Sequence, residues 1–216
     1  MKNRGNTIWG ILLILGGLLF LARSTNLLGS WADSLWSMMG TAALALGSLA
    51  FLIVFLSDLR GSWWAAIPGF TLFGLFITTV AENFGSLAEA VSGGFFLASI
   101  GLGFLAVYLV NRDEWWPLIP FGVMTTLGVV ATTDELATRW EMTNFDSAPI
   151  FFIGLGLTFL LIALLNLRNK SMRWAYIPAA ALLILGLLIG SSLENLANYI
   201  WPLALIIGGI ILLLRR

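Results

Sequence analysis

The charged residues of this chain are confined to gaps. Between them run uncharged stretches of about 18 to 24 residues along the whole sequence, the length an α-helix needs to cross ~30 Å of hydrocarbon at ~1.5 Å per residue. A soluble helix would carry a polar stripe, whereas these stretches are hydrophobic all round. Of 216 residues, 59% are apolar and 10% charged, and the mean hydropathy is +0.96. That balance excludes a soluble enzyme and implies an all-α, polytopic integral membrane helical bundle.

Eight transmembrane helices can be drawn, at about 7–22, 37–57, 63–81, 92–111, 115–133, 148–166, 174–192 and 198–214, and none contains Asp, Glu, Lys or Arg. The start, 1–22, has Lys2 and Arg4 ahead of an apolar run, as a signal peptide does. Leu21, Ala22 and Arg23 form no small-x-small cleavage site, so the expectation is a retained first helix. The outer stretch 27–36, with Leu27, Leu28, Trp31 and Leu35 at helical spacing, is expected to lie flat on the membrane surface, as is the one around Leu136, Trp140 and Met142.

Orientation follows from the basic residues, which are retained on the cytoplasmic side during insertion. With eight spans, one side gathers nine basic residues (Lys2, Arg4, Arg60, Arg112, Arg168, Lys170, Arg173, Arg215 and Arg216) against three acids, Asp58, Asp113 and Glu114. The other side holds two basic residues, Arg23 and Arg139, against eight acids. Both termini are therefore expected in the cytoplasm. Seven or nine spans would scramble this segregation. Most of the ten Trp residues stand at span ends, where an indole keeps its ring in the interface and its N–H wet.

A repeat runs through the middle of the chain. WAAIP at 64–68, WPLIP at 116–120 and WAYIP at 174–178 each follow a basic loop. Trp64, Trp116 and Trp174 are read as anchors, and Pro68, Pro120 and Pro178 fall in or just beyond the first helical turn, where a missing N–H costs little. Phe95, Phe96, Gly101 and Gly103 in one copy correspond to Phe151, Phe152, Gly154 and Gly156 in another, and Gly101 and Gly154 are expected to let helix backbones approach closely. A single membrane domain, 1–216, follows: first helix and outer loop at 1–36, hairpins at 37–82, 92–135 and 148–194, and a last helix at 198–216.

The first and last helices also match each other. Trp9 is followed by Gly16 and Gly17, and Trp201 by Gly208 and Gly209, at the same spacing. The stretch 8–20, IWGILLILGGLLF, followed by Asn26, Leu27, Leu28 and Gly29, and the end 199–216, YIWPLALIIGGIILLLRR, resemble the two halves of the small transmembrane region of bacterial LiaI/LiaF-like envelope-stress proteins. The resemblance covers about 35 residues. It implies a membrane-associated, regulatory role in a bacterial inner membrane, and it carries over no catalytic or ligand residue. The chain departs from that pattern in placing three WxxIP helix pairs between the two halves.

Little chemistry is on offer. With no Cys and no His, thiol nucleophiles, imidazole bases and the usual metal and haem sites are missing, and a net charge of zero offers nothing to nucleic acid. No catalytic residue, cofactor-binding set or metal site is expected. Polar lining within the spans could come only from groups such as Thr71, Thr78, Thr79, Thr125, Thr126, Thr158 and Asn166, whose hydroxyls readily bond their own helix. Glu82, Glu135 and Glu194 recur at equivalent outer helix ends and form a candidate acidic ring for cations. The expected function is a noncatalytic accessory or regulatory subunit, its partners being the lipid bilayer and another membrane protein or a second copy. The alternative is a transporter or channel for a small neutral or apolar solute or lipid.

Overall fold

In the computed structural model, residues 30–165 and 172–190 are described, and they are helical with no strand. Six α-helices follow one another: α1 (Ser30–Ser57), α2 (Ala66–Ala81), α3 (Ser86–Val110), α4 (Leu118–Arg139), α5 (Ala148–Leu164) and α6 (Tyr176–Gly190). Short 3-10 turns at Trp63–Ala65, Glu82–Phe84 and Arg173–Ala175 link some of them. The first and last expected spans, with Asn166 and Glu194, lie outside the described residues. The chain divides into two units, Met1–Leu44 and Ala45–Arg216, and all packing below is within the second.

Four segments are long and apolar enough to cross a membrane: Ser34–Ser57, Trp63–Phe84, Ser86–Val110 and Arg173–Gly190. The helix Ala148–Leu164 is apolar but has 17 residues, about 25 Å at the α-helical rise. Helix α4 carries Asp134, Glu135 and Arg139 in its last turns, so its uncharged part is confined to 118–133. The structure extends two expected boundaries. Residues 30–36 are the first turns of α1 rather than a separate surface segment, and 136–139 complete α4.

Neighbouring helices run antiparallel. Gly74 packs on Ser99 while Gly103 packs on Ile67, Gly101 faces Thr125 while Gly128 faces Ala98, and Gly156 meets Leu183 while Gly190 meets Pro149. Extensive packing from α2 to α6 is between sequence neighbours. Each inner helix is thus held on two opposite flanks, and large apolar side chains such as Leu102, Val129 and Leu157 are left exposed between them. In water that would be a liability; in hydrocarbon it is the expected surface.

The turns are built from local chemistry. Gly85, at φ 95°, reverses the chain into α3, a conformation that a side chain would strain. At the start of α5, Asp146 Oδ1 accepts the Ala148 N–H at 2.9 Å, and Pro149 has no N–H to satisfy. Helix α4 ends in a Schellman-type cap: Met142 N–H donates to Ala137 O at 2.9 Å and Glu141 N–H to Thr138 O at 3.2 Å, with Glu141 itself at φ 55°.

Candidate functional site

The three WxxIP segments come together at one end of the helix row. In each, a tight turn precedes the helix: Ala65 N–H donates to Ser62 O (3.0 Å), Leu118 N–H to Trp115 O (3.1 Å) and Ala175 N–H to Met172 O (2.9 Å). Pro68, Pro120 and Pro178 are each the third residue of α2, α4 and α6, so none removes an internal helix bond. The small residues after the tryptophans are buried, Ala65 and Ala175 completely, while the indoles of Trp64, Trp116 and Trp174 remain 50%, 38% and 45% exposed. That division suits a ring moored at the lipid headgroups above a closed packing point.

Aromatic edges bridge the copies. Trp63 meets Trp116 with ring centroids 6.3 Å apart, and Trp115 meets Trp174 at 5.7 Å, both T-shaped. Phe104 and Phe159 extend these contacts along α3 and α5. The loops at this end carry Arg60, Arg112 and Arg173 alongside Asp58, Asp113 and Glu114. The opposite end carries Glu82, Glu89, Asp134, Glu135, Glu141 and Asp146 with Arg139 alone among bases in the described residues of this unit.

Glu82 and Glu135 are exposed at that acidic end. Among the described residues no three His, Cys, Asp or Glu side chains converge as a metal site would need. Arg139 is engaged in holding helices together: its guanidinium donates to Ser86 O at 2.8 Å and also contacts the Ser86 hydroxyl, tying the end of α4 to the start of α3.

Between the two ends, glycines and hydroxyl residues interlock. On α4, Gly122 faces Thr158, and four residues on, Thr126 faces Gly154, so that each helix offers a Gly where the other offers a Thr. A Cβ added at Gly154 would stand 2.5 Å from Thr126 Cγ2; one at Gly101 would stand 2.9 Å from Thr125 Oγ1 and 3.1 Å from Phe121 O. Both glycines therefore sit at close helix contacts, as their spacing suggested. They are not equivalent, however. Gly101 faces the following helix and Gly103 the preceding one (Ile67 Cα, 3.1 Å), whereas Gly154 faces the preceding helix and Gly156 the following one (Leu183 N, 3.0 Å). Residues two apart lie about 200° apart around a helix at 3.6 residues per turn, so a Gly-x-Gly pair serves both neighbours of an inner helix.

The hydroxyls are spent locally. Thr71 donates to Ile67 O, Thr78 to Leu75 O, Thr79 to Phe76 O, Ser99 to Phe96 O, Thr125 to Phe121 O and Thr158 to Gly154 O, all at 2.7 to 2.9 Å. Ser48 is different: it donates across the interface to Gly69 O at 3.1 Å. Two open grooves of about 350 and 280 Å³ flank α4, sharing Thr125 and Val129, and are lined by apolar side chains and glycines with three threonines in each.

Sequence reasoning treated the glycines and the threonines separately and missed their pairing. The available signal was the four-residue spacing of small residues, Gly122 to Thr126 and Gly154 to Thr158. Comparison with family models, curated proteins and solved structures found no match to this chain.

Proposed function

We propose that this chain is an eight-span protein of a bacterial cytoplasmic membrane, with both termini in the cytoplasm and three similar hairpins between a first and a last helix. It acts without catalysis, as an accessory or regulatory subunit, through helix contacts. The observation that carries this reading is the fate of the polar groups at membrane depth. The hydroxyls of Thr71, Thr78, Thr79, Ser99, Thr125 and Thr158 bond their own backbone, and the close helix contacts are made by glycine and threonine. Transport routes are usually marked by ionisable side chains or by broken helices at mid-membrane, and the described helices carry their charges at or near their ends. What remains available is surface: two small-residue grooves beside α4, of the kind that admits a neighbouring backbone. The regulatory part of the reading leans on the likeness of 8–20 and 199–216 to envelope-stress regulators.

The test is extraction of the tagged chain from its native membrane in lipid nanodiscs, followed by mass spectrometry. A stoichiometric protein partner is expected, and it should be lost in Val129→Trp, which fills both grooves from an exposed position. A lone protein that passes a small neutral solute or lipid in reconstituted liposomes would replace this reading with transport. Orientation is checked separately in this Cys-free chain. A cysteine in place of exposed Phe84 should react with impermeant thiol reagent from outside, and one in place of Leu59 only after lysis.

A further inference from the structure

The loops after α1 and after α3 line an open cavity of about 640 Å³ at the tryptophan end. Arg60, Arg112, Asp113 and Glu114 line it together with the indoles of Trp63 and Trp116. Its charge is balanced, two guanidinium groups against two carboxylates, and all four side chains are exposed, with no ion-pair or hydrogen-bond partner among the described residues. Opposite charges that share a cavity without pairing present a positive and a negative subsite to a ligand. Val107, 2% exposed and packed with Phe55, Ala65 and Ala66, and the partly buried Val110 form the apolar floor of this cavity.

We propose that this cavity binds the zwitterionic headgroup of a phospholipid of the phosphoethanolamine type. The phosphodiester sits on Arg60 and Arg112, whose planar forks suit phosphate oxygens. The primary ammonium sits on Asp113 and Glu114, whose oxygens can accept its N–H donors. A quaternary ammonium offers no N–H and an uncharged glycerol headgroup no cation, so the carboxylates select the primary amine. A lipid is favoured over a free phosphoamine because Trp63 and Trp116 stand at the depth where indoles mark the headgroup layer. The proposal rests on the membrane-spanning reading of the helices and not on the subunit role.

The full chain is stripped of lipid in detergent and titrated, by native mass spectrometry, with phosphatidylethanolamine, phosphatidylcholine and phosphatidylglycerol of identical acyl chains. Soluble phosphoethanolamine serves as the fourth probe. Phosphatidylethanolamine should bind about tenfold more tightly than either other lipid, the equivalent of one charge-assisted contact. Arg112→Gln should weaken all three lipids. Glu114→Gln should erase the preference for the amine and leave phosphatidylglycerol unchanged, with melting temperatures of both variants matching the parent. Equal binding of the three lipids, or a preference that survives Glu114→Gln, overturns the proposal. Soluble phosphoethanolamine binding as tightly as the lipid would overturn the lipid as the ligand. Because no protein partner enters this assay, failure here leaves the subunit reading standing, and the loss of a partner leaves this one standing.

Discussion

The interface between α1 and α2 and the interfaces on either side of α4 solve the same problem differently. At α1–α2 the tightest approaches of the glycines are to side chains: a Cβ at Gly47 would come to 3.2 Å from Leu72 Cδ1, and one at Gly69 to 3.0 Å from Leu52 Cδ2, ends of flexible groups that can give way, with the nearest backbone atom, Leu52 N, at an ordinary 3.4 Å. The cross-helix polar contact described there is Ser48 to Gly69 O. At α3–α4 the backbones themselves touch. A Cβ at Gly128 would lie 2.6 Å from Gly94 O and 3.2 Å from Ala98 N, atoms that cannot move without moving a helix. At α4–α5 the reciprocal Gly/Thr pairs interlock the two surfaces. Lipid tails are as apolar as leucine, so burying leucine between helices gains little in a membrane, and close approach of small residues supplies dispersion contacts instead. The α3–α4 interface should therefore contribute more packing energy than α1–α2.

The largest expected effect tests that claim directly. Gly128→Leu must push α3 away from α4, with a loss of about 3 kcal/mol or more, at or beyond the upper end for overpacking. Unfolding of the full chain in detergent micelles should show this as a collapse of the cooperative transition, and Gly101→Leu should follow it closely. If both variants unfold like the parent, the backbone contacts contribute nothing.

A second experiment separates interlocking from mere crowding. Gly154→Ala should cost about 1 to 3 kcal/mol because its new methyl meets Thr126. Combined with Thr126→Gly, which vacates that space, much of the loss should return, giving a coupling energy of about 1 kcal/mol or more in the double-mutant cycle. Additive losses would show that the two positions do not share a contact.

How much of this was legible beforehand depends on which property is asked for. The helical class and most boundaries follow from uncharged length and from the WxxIP starts, since Trp, Pro and charge placement act locally. The boundary at 30–36 was missed because a surface-lying helix and the first turns of a spanning one present the same spacing of Leu and Trp. Close contact at Gly101 and Gly154 was readable from composition, but the neighbour each one faces was not. That depends on azimuth, and the correspondence of Phe95, Phe96, Gly101 and Gly103 with Phe151, Phe152, Gly154 and Gly156 shortens the Phe-to-Gly spacing from five residues to two. Such a shift rotates the glycines relative to the phenylalanines and exchanges their partners. The Arg60 and Arg112 cavity was not read at all, because two loops about fifty residues apart build it.

On the α1–α2 side the effects should be smaller. Ser48→Ala removes one buried hydrogen bond without opening a space, and an interhelical bond of this kind contributes about 0.6 to 1 kcal/mol in a membrane protein. The measured loss should fall below that of Gly154→Ala. A loss as large as that of Gly128→Leu would reverse the ranking of the two regions and place the main energy at α1–α2.

The smallest effect is the sharpest control, because it changes the same residue type in the same helix as Gly94. Gly93 has no atom within 4 Å of where its Cβ would stand, whereas at Gly94 the neighbouring Thr132 and Gly128 occupy that place. Gly93→Ala therefore adds no clash and gains the helical preference of alanine over glycine, up to about 1 kcal/mol. The variant should unfold at the parent's position or slightly above it, while Gly94→Ala, one residue away, should fall well below. Backbone flexibility changes alike in both, so a difference of sign can come only from what each methyl meets. If the two variants lose stability equally, the glycines of α3 serve the helix itself and not its contact with α4, and the contrast between the two regions disappears.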